Sequence, residues 1–295
     1  MVDYYDRVQR SVDFIEERLT QDIELEAVAK EAYCSLFHFH RIFQALIGDS
    51  MKEYIRKRRL SLAGREIACS DRKIIDIALK YGYETPEAFT KAFKKFHGMT
   101  PMECRKLKGP FVFRDKASVI TYKTQLLSGG RSMNYKIIEK DEFKIVGREI
   151  RVRNDNGDNY KIVPQFWKKC LADGIYEKFG NLKNRVNPKD NVVLGMCSDF
   201  DGVNTFSYFI CTEVSNSGDL PENMVQKIIP SAKYAVFTAK GKLPKAVQGA
   251  WKEIYGTWFP QSGYERTDGP DFELYDKRCE INDENCEVDI YIPIK

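Results

Sequence analysis

A helix-turn-helix pattern occupies the stretch from Lys73 to Pro101. Gly82 ends a short apolar helix face, and Phe89 and Phe93 resume helical spacing after Pro86. Pro86 suits the first turn of the second helix, where its missing N–H has no intrahelical partner. With the phenylalanines inward, the 3.6-residue period turns a polar, basic face outward. That face consists of Glu87, Thr90, Lys91, Lys94 and Lys95.

The same pattern occurs once more, over residues 23–48. Val28 and Ala29 lie 49 positions before their counterparts, and Phe39, Phe43 and Gly48 lie 50 positions before theirs. The turn of the second pattern, at residues 73–101, therefore has one residue more than the turn of the first. A repeat with matching internal landmarks predicts two helix-turn-helix units in tandem. Residues 51–68, helical in composition, predict a helix that joins them.

Positive charge is concentrated in this part of the chain. Residues 40–108 carry 16 basic and eight acidic side chains, whereas residues 1–39 carry four and nine. Lysine and arginine that neutralise phosphates supply most non-specific affinity for DNA. Arg56 and Lys95 are predicted to contact phosphates. The amphipathic helix at residues 3–19 has a mostly acidic polar face, so we expect it to support the first unit without touching DNA.

Residues 5–108 resemble the DNA-binding domain of AraC/XylS-type transcriptional regulators, through GDSMKEYIRKRRL and IALKYGYETPEAFTKAFKKFHGMTPMECRK. The resemblance implies that the second helix of each unit enters the major groove of double-stranded DNA. Cys104 departs from the aromatic residue usual in the family. The base-facing residues implied by the resemblance are Phe37, His40, Arg41, Glu87, Thr90 and Lys91.

Bulk features narrow the class of protein. No apolar run approaches 18 residues and no signal-peptide pattern is present, which predicts a cytoplasmic protein without a membrane partner. The eight cysteines have no CxxC pair or ligand-like spacing, so we expect reduced thiols and neither metal nor cofactor. His38 and His40, two apart on a helix, form a poor metal pair, and His40 is expected to point outward.

The composition changes after residue 108. Gly109-Pro110 and Gly129-Gly130 bracket a segment that we interpret as a linker, giving domains at 1–108 and 133–295 joined by residues 109–132. Residues 126–132 are expected to be its most flexible part.

Residues 133–295 are themselves built twice. Each half reads as a βαββ-like unit whose first β region folds over as a hairpin. Two such halves side by side predict an α+β domain with an antiparallel sheet and both helices on one face. The predicted strands lie within residues 135–152, 191–197, 206–214, 224–241, 272–275 and 288–294, and the helices at 164–173 and 245–258.

The groove between the halves is the expected pocket. Aromatic faces beside a poorly solvated carboxylate attract lipophilic cations. The alternative is that the tryptophans only fill the core. The predicted lining is Trp167, Tyr208, Glu213, Trp251, Asp289 and Tyr291.

Segments such as QGAWKEIYGTWFPQSGYERTDGPDFELY and VDIYIPIK resemble the GyrI-like small-molecule-binding domain over residues 133–295. That family implies binding of multiple drugs and cationic effectors. Its pocket carboxylate, usually a glutamate, maps onto Asp289, which is one methylene shorter. An AraC-type reader followed by this domain is the order found in Rob-type regulators.

The sequence therefore predicts a multidomain transcription regulator, by analogy an activator, controlled by a hydrophobic cationic effector and able to contact RNA polymerase. It is not expected to be an enzyme. Two alternatives stay open. One is a GyrI-like hydrolase of strained small molecules fused to a DNA-binding domain, and the other is a ligand-independent DNA-binding protein.

Overall fold

The computed structural model describes residues 4–109, 111–119, 133–153, 158–186, 188–201, 205–216, 218, 220–279 and 283–295. The chain divides into two compact units, Met1–Gly129 and Gly130–Lys295, which we call the reader unit and the effector unit. The predicted linker begins inside the reader unit, because residues 111–119 pack on it. Its remainder, including residues 126–132, lies outside the described residues.

The reader unit is helical throughout its described elements, as the sequence predicts. Its helices are α1 (Tyr4–Glu17), α2 (Leu25–Glu31), α3 (Leu36–Ile47), α4 (Met51–Cys69), α5 (Ile74–Lys80), α6 (Pro86–His97) and α7 (Pro101–Leu107).

Two helix-turn-helix units are present, α2–α3 and α5–α6, and α4 joins them. Tyr33 in the first turn and Gly82 in the second both adopt positive φ, 55° and 79°, at matching positions of the repeat. Thr85 caps α6, since its hydroxyl oxygen accepts the N–H of Ala88 at 3.2 Å. Gly48 and Gly98 end α3 and α6 in the left-handed region, which glycine enters without steric cost.

The core of the second unit forms on α4. Leu60, Ala63 and Ile67 pack against Ile77, Phe89, Phe93 and Cys104. Cys104 is fully buried within this core.

Helix α1 supports the first unit, as expected. The Ser11 hydroxyl donates to the Val28 carbonyl at 2.9 Å. Glu16 forms an ion pair of 2.7 Å with Arg58 of α4, and both side chains are largely buried.

The effector unit is an α+β domain with one eight-stranded antiparallel sheet, confirming the predicted fold class. Its strands are β1 (Tyr135–Lys140), β2 (Phe143–Arg153), β3 (Val193–Ser198), β4 (Thr205–Val214), β5 (Val225–Ile229), β6 (Ala232–Lys240), β7 (Asp271–Tyr275) and β8 (Glu287–Pro293). Its helices are α8 (Asn159–Ala172), α9 (Ile175–Gly180), α10 (Lys245–Glu253) and α11 (Phe259–Ser262), with a π-helical turn at Ile254–Trp258 between the last two. Helix α8 begins before Pro164, which lies inside it.

The predicted hairpins within each half are wrong. The sheet order is β1-β6-β8-β7-β3-β4-β2-β5, so β1 pairs with β6 of the other half and β5 pairs with β2. Tyr135 pairs with Phe237, and Phe143 pairs with Ile229. Both pairs belong to the same register, so the pairing of β1 with β6 continues directly into the pairing of β2 with β5. Because β2 is already flanked by β4 and β5, it has no edge left for β1. Pro230, which lacks an N–H, lies at the connection between β5 and β6.

The cysteine prediction also needs a correction. Cys279 and Cys286 form a disulfide, while the other six cysteines are thiols. The pairing follows from the backbone: the Glu287 N–H donates to the Arg278 carbonyl at 3.1 Å and so brings the two cysteines together. No helix in the part of the chain that the structure describes is both long and apolar enough to cross a membrane.

Candidate DNA-reading helices and effector site

Helix α6 presents its polar face as predicted. Phe89 and Phe93 are fully buried, while Glu87 and Lys91 are exposed and Thr90 is partly exposed. Thr85 and Pro86 fix the start of the helix, so these side chains follow one another along a single outward face. A helix with such a face is the shape that the major groove accepts. Base contact by the three residues stays a prediction.

Helix α3 is different, because nine of its 12 residues are buried. Phe37 and His40 are only 4% and 6% exposed, so His40 is not the exposed residue that the sequence predicts. Arg41 is partly exposed, and its guanidinium lies 4.7 Å from the ring centre of Phe37. Of the three α3 residues implied by the resemblance, Arg41 is the most accessible for base contact.

The predicted phosphate contacts also differ from each other. Lys95 is exposed on α6. Arg56 donates two hydrogen bonds to Glu53, at 2.7 and 2.9 Å, and this bonding raises the pKa of the guanidinium. Arg56 therefore has to share its donors if it contacts a phosphate.

In the effector unit, α8 and α10 place two tryptophans over the same face of the sheet. The Trp167 indole N–H donates to the Tyr208 hydroxyl at 2.8 Å, and its ring meets the ring of Tyr275 edge-on at 5.2 Å. The Trp251 indole N–H donates to Glu273 at 2.7 Å, and its ring stacks on Tyr255 at 5.9 Å.

Glu273 of β7 is the carboxylate of this group. It also accepts the Tyr275 hydroxyl at 2.6 Å. In the register of β3 with β7, Gly195 lies directly across from Glu273. A side chain at Gly195 would come within 3.3 Å of Trp167 and would clash with the Tyr208 hydroxyl, so glycine leaves the room that the Trp167–Tyr208 pair needs. We call Trp167, Tyr208, Trp251, Glu273 and Tyr275 the aromatic site.

The two phenols of the aromatic site are strongly shifted. Burial raises the pKa of Tyr208 well above its usual range, and the nearby charge of Glu273 adds to the shift. Burial and Glu273 have the same effects on the pKa of Tyr275. Both hydroxyls therefore remain hydrogen-bond donors at physiological pH.

The other predicted lining residues lie on the opposite face of the sheet. Successive residues of a strand alternate between faces, and Glu273 pairs with Ile290 whereas Leu274 pairs with Asp289. Asp289 and Tyr291 therefore point away from Glu273. Glu213 is five residues from Tyr208 on β4 and also faces away from it.

These residues already have contacts of their own. Asp289 accepts Thr238 at 2.6 Å and forms a 2.7 Å ion pair with Arg278. Glu213 forms a 3.0 Å ion pair with Lys140, and Tyr291 stacks on Phe272 at 4.4 Å. The prediction that all six residues share one groove is wrong, because the strand register divides them between two faces.

Sequence reasoning missed Glu273 and Tyr275. The signal was present in PDFELY, where Phe272 and Leu274 alternate with Asp271, Glu273 and Tyr275. This alternation shows that the strand has one apolar and one polar face, but it does not show which of the two faces Trp251 covers.

Comparison with known proteins follows the same division of the chain. Residues 136–294 match Cass2, described as an integron-associated effector binding protein, and residues 28–107 match a helix-turn-helix domain family. The first match covers more than half of the chain. The chain belongs to the Cass2 family. The predicted order of an AraC-type reader and a GyrI-like domain is thereby confirmed.

Several similar proteins are named as regulators. Transcriptional regulator Rob of Salmonella typhimurium is 26% identical over 301 residues, which cover 96% of each chain. BrlR of Pseudomonas aeruginosa is 32% identical over 56% of each chain, and YbfP of Bacillus subtilis is 38% identical over 45% of this chain and 46% of its own. The chain thus spans about half the length of YbfP and BrlR. It is an AraC/Rob-type Cass2 regulator with a DNA-binding and an effector-binding domain.

Two solved structures each match about half of the chain. SAV2435 bound to tetraphenylphosphonium is 26% identical, with a TM-score of 0.48 over 55% of this chain and 94% of its own. An integron cassette protein of Vibrio cholerae is 24% identical, with a TM-score of 0.39 over 55% and 95%.

The Tyr275–Glu273 hydrogen bond provides a test of the aromatic site. In a double-mutant cycle with Tyr275→Phe and Glu273→Gln, we expect a coupling of about 1.5–3 kcal/mol in the free energy of unfolding, because a hydrogen bond to a charged acceptor is lost. Urea denaturation of the full chain measures it. As a control, Tyr33→Phe changes an exposed phenol of the reader unit and should stay within about 0.5 kcal/mol of wild type. A coupling near zero would contradict the geometry.

Proposed function

We propose that this Cass2 regulator is a ligand-controlled transcription activator. Helices α3 and α6 read adjacent major-groove segments, and a hydrophobic cation binds at the aromatic site and changes DNA affinity or the contact with RNA polymerase. The observation that supports the effector best is the placement of Glu273 between the Trp251 indole and the Tyr275 hydroxyl.

The chemistry of the aromatic site favours an aromatic or alkyl cation. Ring faces attract cations through their quadrupole, and a carboxylate among rings adds a full charge in a medium of reduced dielectric. A flat lipophilic body also gains by displacing water from the rings. Asp289 and Glu213 are weaker candidates for this role, since the strand register places both on the face of the sheet opposite to Trp167 and Trp251.

The tryptophans do more than fill the core. Trp258 does that, at 6% exposed, with its ring 4.9 Å from Phe237 and stacked on Tyr264. Trp167 and Trp251 are both partly exposed and use their indole N–H groups on Tyr208 and Glu273. This difference favours a ligand site over simple packing.

The DNA-reading role predicts different behaviour for two exposed lysines of α6. Lys91→Ala should cost about 1–3 kcal/mol on the specific site and relax preference at the base it faces, and Arg41→Ala should do the same for the other half of the site. Lys95→Ala, one turn along the same helix, should weaken all sequences similarly and reduce the salt dependence. Equilibrium binding to a DNA site selected from a random pool, and to single-base variants of that site, measures these losses of affinity.

The result that would contradict this placement is specific. If Arg41→Ala left affinity for the specific site unchanged, α3 would not read bases. If Lys91→Ala weakened every sequence equally, α6 would contact only the backbone.

The effector role predicts that Glu273→Gln weakens binding of tetraphenylphosphonium about tenfold or more, because the substitution removes the charge and keeps the shape. Glu213→Gln is the matched control, since it makes the same change on the opposite face of the sheet, and its dissociation constant should equal that of wild type. Calorimetric titration of the full chain measures both. Weakening by Glu213→Gln or Asp289→Asn, with Glu273→Gln unaffected, would assign the cation to the other face.

The same titrations separate the alternative functions. A sensor binds saturably without consuming the ligand, and binding to the native state raises thermal stability. Steady turnover of a cyclopropane-containing compound, abolished in Glu273→Gln, would support a hydrolase. No stabilisation by any member of a panel of lipophilic cations would support a ligand-independent DNA-binding protein.

A further inference from the structure

Residues 111–119, which we call the strap, form a segment without regular secondary structure up to its last residue and pack on the reader unit. Four of its backbone N–H groups donate to side chains of three helices. The bonds run from Val112 to His97 Nδ1 (3.1 Å), from Arg114 to the Ser61 hydroxyl (2.9 Å), from Ala117 to the Tyr54 hydroxyl (3.0 Å) and from Val119 to Gln9 Oε1 (2.9 Å).

The acceptors are themselves held in place. Ser61 donates its hydroxyl proton to the Lys57 carbonyl at 2.8 Å, and Tyr54 donates to Glu16 at 2.7 Å. Both hydroxyls are therefore left with lone pairs for the strap. The Gln9 amide nitrogen donates to Asp13 at 2.8 Å, which directs Oε1 toward Val119. The strap is consequently bound along α1 and α4 by preoriented groups.

His97, the last residue of α6, is fixed in one tautomer by the strap. Because Val112 donates to Nδ1, the ring proton lies on Nε2, which donates to the Leu60 carbonyl at 3.0 Å. Burial lowers the pKa of His97 and so favours this neutral form. Gly64 makes the approach possible, because a Cβ there would lie 2.9 Å from the imidazole.

Arg114 connects the strap to the end of α3. Its guanidinium forms a 3.0 Å ion pair with Asp49 and lies 3.5 Å from the carbonyl of Ile47, the last residue of α3. Ile47 and His97 occupy equivalent positions of the repeat, 50 residues apart. Within the three residues from Val112 to Arg114, the strap thus contacts the carboxyl ends of both recognition helices.

We propose that the strap is a positioning element for DNA recognition. It sets the placement of α3 relative to α6. It thereby sets the spacing that the protein accepts between the two half-elements of its DNA site, one read by α3 and the other by α6. The inference rests on the proposed DNA-reading function. Helix α4 already connects the two helix-turn-helix units. A second connection between the ends of the two helices restricts their relative rotation.

The test compares two basic residues of the strap. Arg114→Ala removes the contact with α3, whereas Lys116→Ala removes an equivalent 2.8 Å ion pair with Asp13 of α1. Both lose one positive charge and one ion pair to an aspartate. Each full-length variant is measured on a series of DNA sites in which zero to several base pairs are inserted between the half-elements, and on a site with a single half-element.

Wild type and Lys116→Ala should bind sites of different spacing with clearly different affinities. In Arg114→Ala, the ratio between the affinities for the best and the worst spacing should fall about fivefold, with unchanged affinity for the single half-element. Wild-type spacing preference in Arg114→Ala would overturn the positioning role. If wild type itself shows no spacing preference, the two-unit reading function fails as well, which is a distinct result.

A second variant covers the case in which Arg114→Ala impairs folding. Val112→Pro removes the backbone N–H that donates to His97. The Val112 side chain is exposed, so the substitution keeps an apolar side chain at the surface and disturbs no core packing. It should relax the spacing preference in the same way. Retention of the full preference in this variant would also overturn the proposal.

Discussion

The continuous register between residues 135–147 and 225–237 holds the effector unit together. Because the two halves exchange their edge strands, neither half completes its sheet alone. The exchange leaves β3 and β7 as the central pair, so that Gly195 of one half lies across from Glu273 of the other. The helices of both halves then cover the same face, and Trp167 and Trp251 converge on that central pair. The aromatic site is a consequence of how the halves join.

The reader unit is organised by α4 in a comparable way. Its apolar side packs on the second helix-turn-helix unit, and its Arg58 pairs with Glu16 of α1 in largely buried surroundings. Separating such a pair is costly, since either charge left alone would be poorly solvated. The strap adds bonds to the same helix and extends to the ends of α3 and α6. Helix α6, which carries the basic outer face, is thus held by contacts with both α4 and the strap.

Periodicity and landmark spacing were sufficient for the two helix-turn-helix units, down to the extra residue in the second turn, because these signals are local. They were also sufficient for the strands and the α+β class. Pairing between distant strands is not a local property, so the hairpins were wrong and Asp289 was placed with the tryptophans. A shift of one residue in register moves a side chain to the other face, and only the register shows that Glu273 faces Trp251. The burial of His40 and the path of the strap likewise depend on tertiary packing.

The most direct test of control by a ligand is selection of bound sequences from a random DNA pool, with and without tetraphenylphosphonium, for wild type and Glu273→Gln at one stated salt concentration. We expect wild type to enrich a bipartite motif with parts about one helical turn apart, roughly 10 base pairs. The cation should change that enrichment in wild type and leave Glu273→Gln unaffected. Absence of a bipartite motif, or equal responses of the two proteins to the cation, would contradict a reader controlled through the aromatic site.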